Sequence, residues 1–170
     1  MQEFQNYEQI RAKHAIEAKD AISVGKEGGR AVAKKFPALI LANGFLGALA
    51  FAEDSGEGLA TVAFSVIDHL ERSKMLPVTC NYGMKSILED VKAALSNEKE
   101  QKLRKEAVDK AIQMGLPKLS SFIDWLADGS SSQLRMLTSE ALSYLNYLRR
   151  FASPEKETGK GGTPDAEDRS

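Results

Sequence analysis

Histidines, cysteines and clustered carboxylates are the side chains that most often hold metals or move protons, and this chain offers few of them. His14 and His69 lie far apart, and neither has another histidine or a cysteine three or four residues away. A structural or catalytic metal needs several such ligands converging. His14 falls on the apolar stripe of its segment and reads as a core or interface histidine. His69, beside Asp68, reads as a helix-surface residue. The acid pairs Glu53-Asp54, Glu89-Asp90 and Glu167-Asp168 occupy adjacent positions, which diverge by about 100° on a helix and so do not converge on one ion or substrate. They read as solvated charge or helix ends. The glycines at 25, 28 and 29 have no strand before them, and Gly159-Lys160 has neither the earlier glycine nor the following hydroxyl of a phosphate loop. Cys80 is alone, so no internal disulfide forms, which suits a reducing cytoplasm. No catalytic set, no metal and no cofactor is expected.

The chemistry that remains is that of cations. Arg11, Lys13, Arg30, Lys34 and Lys35 fall along the first two helical segments, and Arg135, Arg149 and Arg150 along the last. Arginine and lysine bind phosphates without reading sequence. The formal net charge is −1, whereas a protein that binds nucleic acid unaided carries a basic excess. Any such contact must come from a local patch or from an assembly. The plainer alternative is solvated charge balancing Glu17, Asp20 and Glu140.

The elements that would position these residues are helical throughout. Tyr7, Ile10, His14, Ala18, Ala21 and Ile22 recur at three and four, which predicts a helix over 6–23. A second helix starts near Arg30 and should kink or restart at Pro37, because proline lacks the amide hydrogen and disfavours helix at the preceding residue. The stretch 38–52 is apolar nearly all round and is expected in the middle of the bundle. Gly44 and Gly47, three apart, are expected to admit another helix closely. The longest apolar run, 36–52, interrupted by Pro37, Asn43, Gly44 and Gly47, falls short of the ~18 apolar residues of a membrane span. The first residues, with Glu3 and Glu8, lack the order of a secretory signal. Helices follow over 59–72 and 84–95. A charged helix spans 98–114, and a short one begins at Pro117 and closes at Asp128-Gly129. Serines 130–132 cap a last helix with a seam of Leu134, Leu137, Ala141, Leu145, Leu148 and Ala152. The fold class is all-α: a compact bundle of about five to seven helices over residues 1–153. Residues 154–170, rich in glycine, proline and charge, form a disordered C-terminal tail.

Three blocks carry a resemblance: residues 9–15 (QIRAKHA), 36–51 (FPALILANGFLGALAF) and 138–152 (TSEALSYLNYLRRFA). In this order, on a chain of this size, they resemble the small-subunit family of type III-B CRISPR effectors, the Cmr complexes. The middle and last blocks are the specific ones, and the three frame most of the chain. The segment 53–132 matches only in helical character. Where the family commonly follows the middle block with a lysine, this chain has Glu53 and Asp54.

The resemblance implies a helical, non-catalytic subunit of a cytoplasmic antiviral ribonucleoprotein, with no membrane contact. Several copies would line up beside a repeated backbone subunit and help hold the guide RNA–target RNA duplex, while cutting belongs to other subunits. The phosphate contacts would be drawn from Arg11, Lys13, Lys34, Lys35, Arg135, Arg149 and Arg150. The rival reading is a purely structural helical adaptor that touches protein only.

Overall fold

The computed structural model describes residues 6–97 and 100–154. They form six helices: α1 (Tyr7–Ala18), α2 (Gly29–Ser55), α3 (Glu57–Arg72), α4 (Met84–Ser96), α5 (Gln101–Ala127) and α6 (Ser131–Phe151), with no strand among the described residues. The all-α expectation holds, within the expected number of helices. Of the tail expected at 154–170, all but Pro154 lies outside the described residues.

The centre of the bundle is α3, which packs against all five other helices. Every residue from Ala60 to Leu70 is buried. Its polar members each find a partner on their own helix or a neighbouring one, although one oxygen of Asp68, Oδ1, stays buried without a hydrogen bond among the described residues. Thr61 and Ser65 donate to the carbonyls of Gly58 (2.9 Å) and Val62 (2.8 Å), so neither hydroxyl enters the core unpaired. The apolar stretch of α2, expected at the centre, lies instead to one side, against α3, α5 and α6. Phe36, Ile40, Phe45, Ala48, Leu49 and Ala52 face inward, and Ala38, Leu41, Ala42, Ala50 and Phe51 are exposed.

Both proline expectations are corrected. α2 runs through Pro37, because Val32, Ala33, Phe36 and Ile40 bury one continuous face on either side of it. Its break falls at Gly44, whose φ of 74° and ψ of 169° belong to glycine rather than to a helix. A Cβ at Gly44 would meet nothing within 4 Å, and one at Gly47 would meet only Asn43 of the same helix. Within this chain, then, the glycine pair admits no neighbouring helix. α2 is also the one described helix long and apolar enough, by composition alone, to cross a membrane. The Gly44 break and the face it buries against three helices give that composition another use. α5 likewise runs through Pro117 as one helix. Pro117 and Gln113 are both exposed, so the carbonyl that loses its donor lies on the solvent side.

The remaining boundaries follow local rules. Asn6 and Gln9 form a reciprocal capping box that starts α1 (2.8 and 2.9 Å). α1 stops at Ala18, short of the expected 23, although Ala21 and Ile22 stay buried in the turns that follow. Ser130 caps α6 by accepting from the Gln133 amide (3.2 Å).

α5 crosses α3 closely at Gly115, where an added Cβ would lie 2.5 Å from Cζ of the fully buried Phe64 and 3.1 Å from Ile87. Gly115→Ala should therefore lose stability. Overpacking costs about 1–3 kcal/mol and is only partly offset by the ~1 kcal/mol that alanine gains over glycine in a helix. A urea midpoint for G115A at or above that of the parent chain would show that the α3–α5 crossing is looser than this.

A candidate nucleic-acid interface and the polar cluster behind it

The seven cations proposed as phosphate contacts divide by what they already touch. Arg11 is committed to the interior. Its Nε donates to Glu140 Oε1 (2.8 Å) and its Nη2 to Glu140 Oε2 (2.7 Å), a two-pronged pair between α1 and α6. Its side chain is 23% exposed and that of Glu140 only 8%. Lys35 is exposed but bound to Glu27 at 2.5 Å. Lys13, Lys34, Arg135, Arg149 and Arg150 are exposed.

The structure groups part of this set. Arg30, at the start of α2, donates through Nε to the Ala152 carbonyl (3.2 Å) and through its amide to the Ser153 carbonyl (3.1 Å). That joins the start of α2 to the end of α6, and brings Lys34 to the end of the bundle that carries Arg149 and Arg150. Arg135 sits fourteen residues before Arg149 on α6, about 21 Å along the axis and within about 40° of the same face. Between them the exposed residues are Met136, Ser139 and Asn146. Glu140, the one acid in α6, is buried. The outer face of α6 thus carries no exposed acid of its own, although the exposed Glu8 of α1 reaches Tyr147 near Arg150. Lys13 stands apart on α1. The opposite charge collects elsewhere: Glu53, Asp54, Glu57 and Asp109 line a cleft of about 340 Å3 between the α2–α3 junction and α5.

Behind α6 lies a cluster that the sequence did not assemble. His69 is fully buried rather than on the surface, and its ring stacks on Tyr144 at 4.3 Å and 6°. Its Nε2 lies 2.9 Å from Glu140 Oε1, and its Nδ1 lies 2.9 Å from His14 Nδ1. A carboxylate only accepts, so His69 carries its proton on Nε2 and presents a lone pair at Nδ1. His14 must then donate from Nδ1. The expected core histidine is found at His14, now with a named partner. One turn on, Arg72 binds Glu17 (2.6 Å) and Asp68 (3.2 Å). Arg11, His14 and Glu17 recur every three residues and give α1 one polar edge, clipped to α3 and α6. The missed members had a faint signal: Glu140 and Tyr144 fall three and seven residues after Leu137, on the buried seam.

Electrostatics follows burial. Burial, then the nearby positive charge of Arg72 and the proximity of His69, lowers His14 from 6.5 to about 4. Burial also lowers His69, against the pull of Glu140. For Glu140, burial acts upward, but the hydrogen bonds from Arg11 and His69 prevail and hold the carboxyl below its ordinary range. Among the described residues, no group of three or more histidines, cysteines or acids is arranged to hold a metal ion.

The model of the family described as CRISPR-associated protein (Cas_Cmr5) matches residues 7–155. No curated protein and no solved structure matches the chain.

Two outcomes test the cluster. Glu140→Ala leaves Arg11 and His69 unpaired and should cost about 3–5 kcal/mol, as breaking one partner of a buried pair does; urea denaturation reads this directly. The second is pH dependence. Unfolded His14 titrates near 6.5 and folded His14 near 4, so the unfolded chain binds more protons between those values. The stability that neutral His14 contributes is complete above about pH 6.5 and is lost as pH falls toward 4, and Glu140 adds a loss in the same direction. The urea midpoint should drop between about pH 7 and pH 4.5. His14→Asn, which keeps a donor near Nδ1, should flatten that slope. An unchanged slope would remove His14 from the account.

Proposed function

The chain belongs to the CRISPR-associated Cas_Cmr5 family, the small subunits of type III-B Cmr complexes, and on that premise we propose a specific role for it. It is a non-catalytic subunit of the cytoplasmic effector. Several copies stand beside the repeated backbone subunit and brace the guide RNA–target RNA duplex. The observation that carries this reading is the outer face of α6, with Arg135, Arg149 and Arg150 exposed and Glu140 turned inward. α6 itself places no exposed carboxylate on such a face, and arginine contacts to phosphate ignore sequence, as a guide-programmed machine requires. Lys34 extends the surface from α2. Lys13 remains in the proposed set as an outlying contact on α1. Arg11 and Lys35 contribute less, since each already holds a carboxylate.

With a net charge of −1, one copy alone binds RNA weakly. Copies fixed in a row act through effective concentration instead. A second reading, a purely structural adaptor, is favoured by the exposed Leu41 and Phe51 of α2, which suit protein contact better than RNA.

Replacing Arg135, Arg149 and Arg150 with alanine in every copy of the assembled complex separates the two. Target-RNA capture should weaken alike for all guide sequences, and the salt dependence should fall by about one unit of slope per arginine lost from a phosphate. Lys35→Ala should change far less. Capture and salt slope that stay as in the parent complex would leave the adaptor reading standing.

A further inference from the structure

Residues 155–170 follow directly on the end of α6, and their charges are unevenly ordered. From Glu155 to Lys160 two acids and two lysines cancel. From Gly161 to Asp168 there are three acids, Asp165, Glu167 and Asp168, and no cation. The chain enters this stretch from a fixed point. Arg30 holds the carbonyls of Ala152 (3.2 Å) and Ser153 (3.1 Å), so the chain departs from the end of the bundle that carries Arg149, Arg150 and Lys34. Those three cations and Arg135 form no ion pair with a described residue, in contrast to Arg11 and Lys35. Glu8, at Tyr147 near Arg150, is an exposed acid at the edge of this face.

We propose that the acidic segment Asp165–Asp168 folds back onto the outer face of α6 in the free chain and occupies the arginines there in place of phosphate. Carboxylate and phosphate offer the guanidinium fork the same paired oxygens. Reach permits the contact. Ten residues separate Pro154 from Asp165, and a chain of that length extends to about 35 Å. The strip from Arg149 to Arg135 is about 21 Å long. Gly159, Gly161 and Gly162 accept either sign of φ, which lets the chain reverse. Pro164 favours an extended Thr163, and in an extended strand Asp165 and Glu167 fall on one side. A short tether holds these carboxylates near the strip at an effective concentration on the order of mM. Each exposed ion pair is weak and screened by salt, so the contact is labile. A free copy is thereby shielded from stray RNA, while a duplex with many phosphates displaces three carboxylates. The contact itself needs no RNA; its displacement by RNA rests on the reading of α6 proposed above.

Nuclear magnetic resonance of the full chain, without RNA or other subunits, tests it. The parent is compared with a chain carrying Asp165→Asn, Glu167→Gln and Asp168→Asn, substitutions that lie outside all six helices. The Nε–Hε signals of Arg149 and Arg150 should differ between the two chains, while the amide of Lys13 on α1 should not. The difference should be independent of protein concentration and should vanish as salt rises from about 0.05 to about 0.5 M. Spectra that coincide at low salt, or that differ only within 155–170, overturn the proposal. So does a difference as large at Lys13 as at Arg149, or one that grows with protein concentration, which would place the segment on a second copy. An oligouridine probe at low salt then reads the competition. The neutralised chain should bind it about threefold more tightly, the gain expected if the segment covers the strip two-thirds of the time. Shifts at Arg149 and Arg150 with no gain in RNA affinity would leave the contact standing and take α6 off the RNA path, so the two readings fail separately.

Discussion

Glu140 is a carboxylate placed where water barely reaches it, and much of the architecture follows from what that requires. A charge in the interior needs partners that fill its lone pairs. Here Arg11 supplies two donors from α1 and His69 one from α3. The three helices are thereby fixed in rotation and in register. The apolar seam of α6 alone would tolerate sliding by a turn, since leucines at three and four repeat along it. Arg11 would then miss Glu140, and His14 would lose His69. Buried ion pairs add little net stability compared with apolar packing. Their use in this bundle is to select one arrangement of α1, α3 and α6 from several of similar burial.

The same reasoning explains why α3, not the more apolar α2, occupies the centre. A central helix must be tolerable on every side, and tolerance means small or self-satisfied residues as much as apolar ones. Thr61 and Ser65 turn their hydroxyls back onto their own helix, and Asp68 and His69 find partners in Arg72 and Glu140. Ala60 and Ala63 allow neighbours to approach. The larger side chains of α2 need only one side covered, and Gly44 bends the helix while the other side stays open. Counting apolar side chains ranks the two helices wrongly, because the count ignores what becomes of the polar ones.

What was legible in the sequence was whatever depends on neighbours within a turn. The cap at Ser130, the stripes of α3, α4 and α6, and the all-helical class are of this kind. Pro37 and Pro117 misled for the same reason: local chemistry marks each as a break, yet burial on either side of each holds one helix together. The kink at Gly44 was hidden because two glycines three apart look the same whether they bend a helix or admit another. His69 was misplaced because its immediate neighbour is an aspartate, while its partner Glu140 is 71 residues away, where no periodicity reaches. Of the candidate cations, sequence could find them but not say which were spent; Arg11 and Glu140 are 129 residues apart.

That expenditure ties the core to the surface. α6 has one acid and three arginines, and rotating the helix by a single residue, about 100°, would bring Glu140 toward solvent and turn an arginine inward. The outer face of α6 has no acid of its own because the inward side is anchored by Arg11 and His69. An arginine of α1 is consumed so that the arginines of α6 face outward without a carboxylate between them. On the proposed reading, the cation that never meets RNA is the one that makes the RNA-facing strip possible. Its removal would act on RNA capture through the orientation of α6, and not through the loss of one phosphate contact.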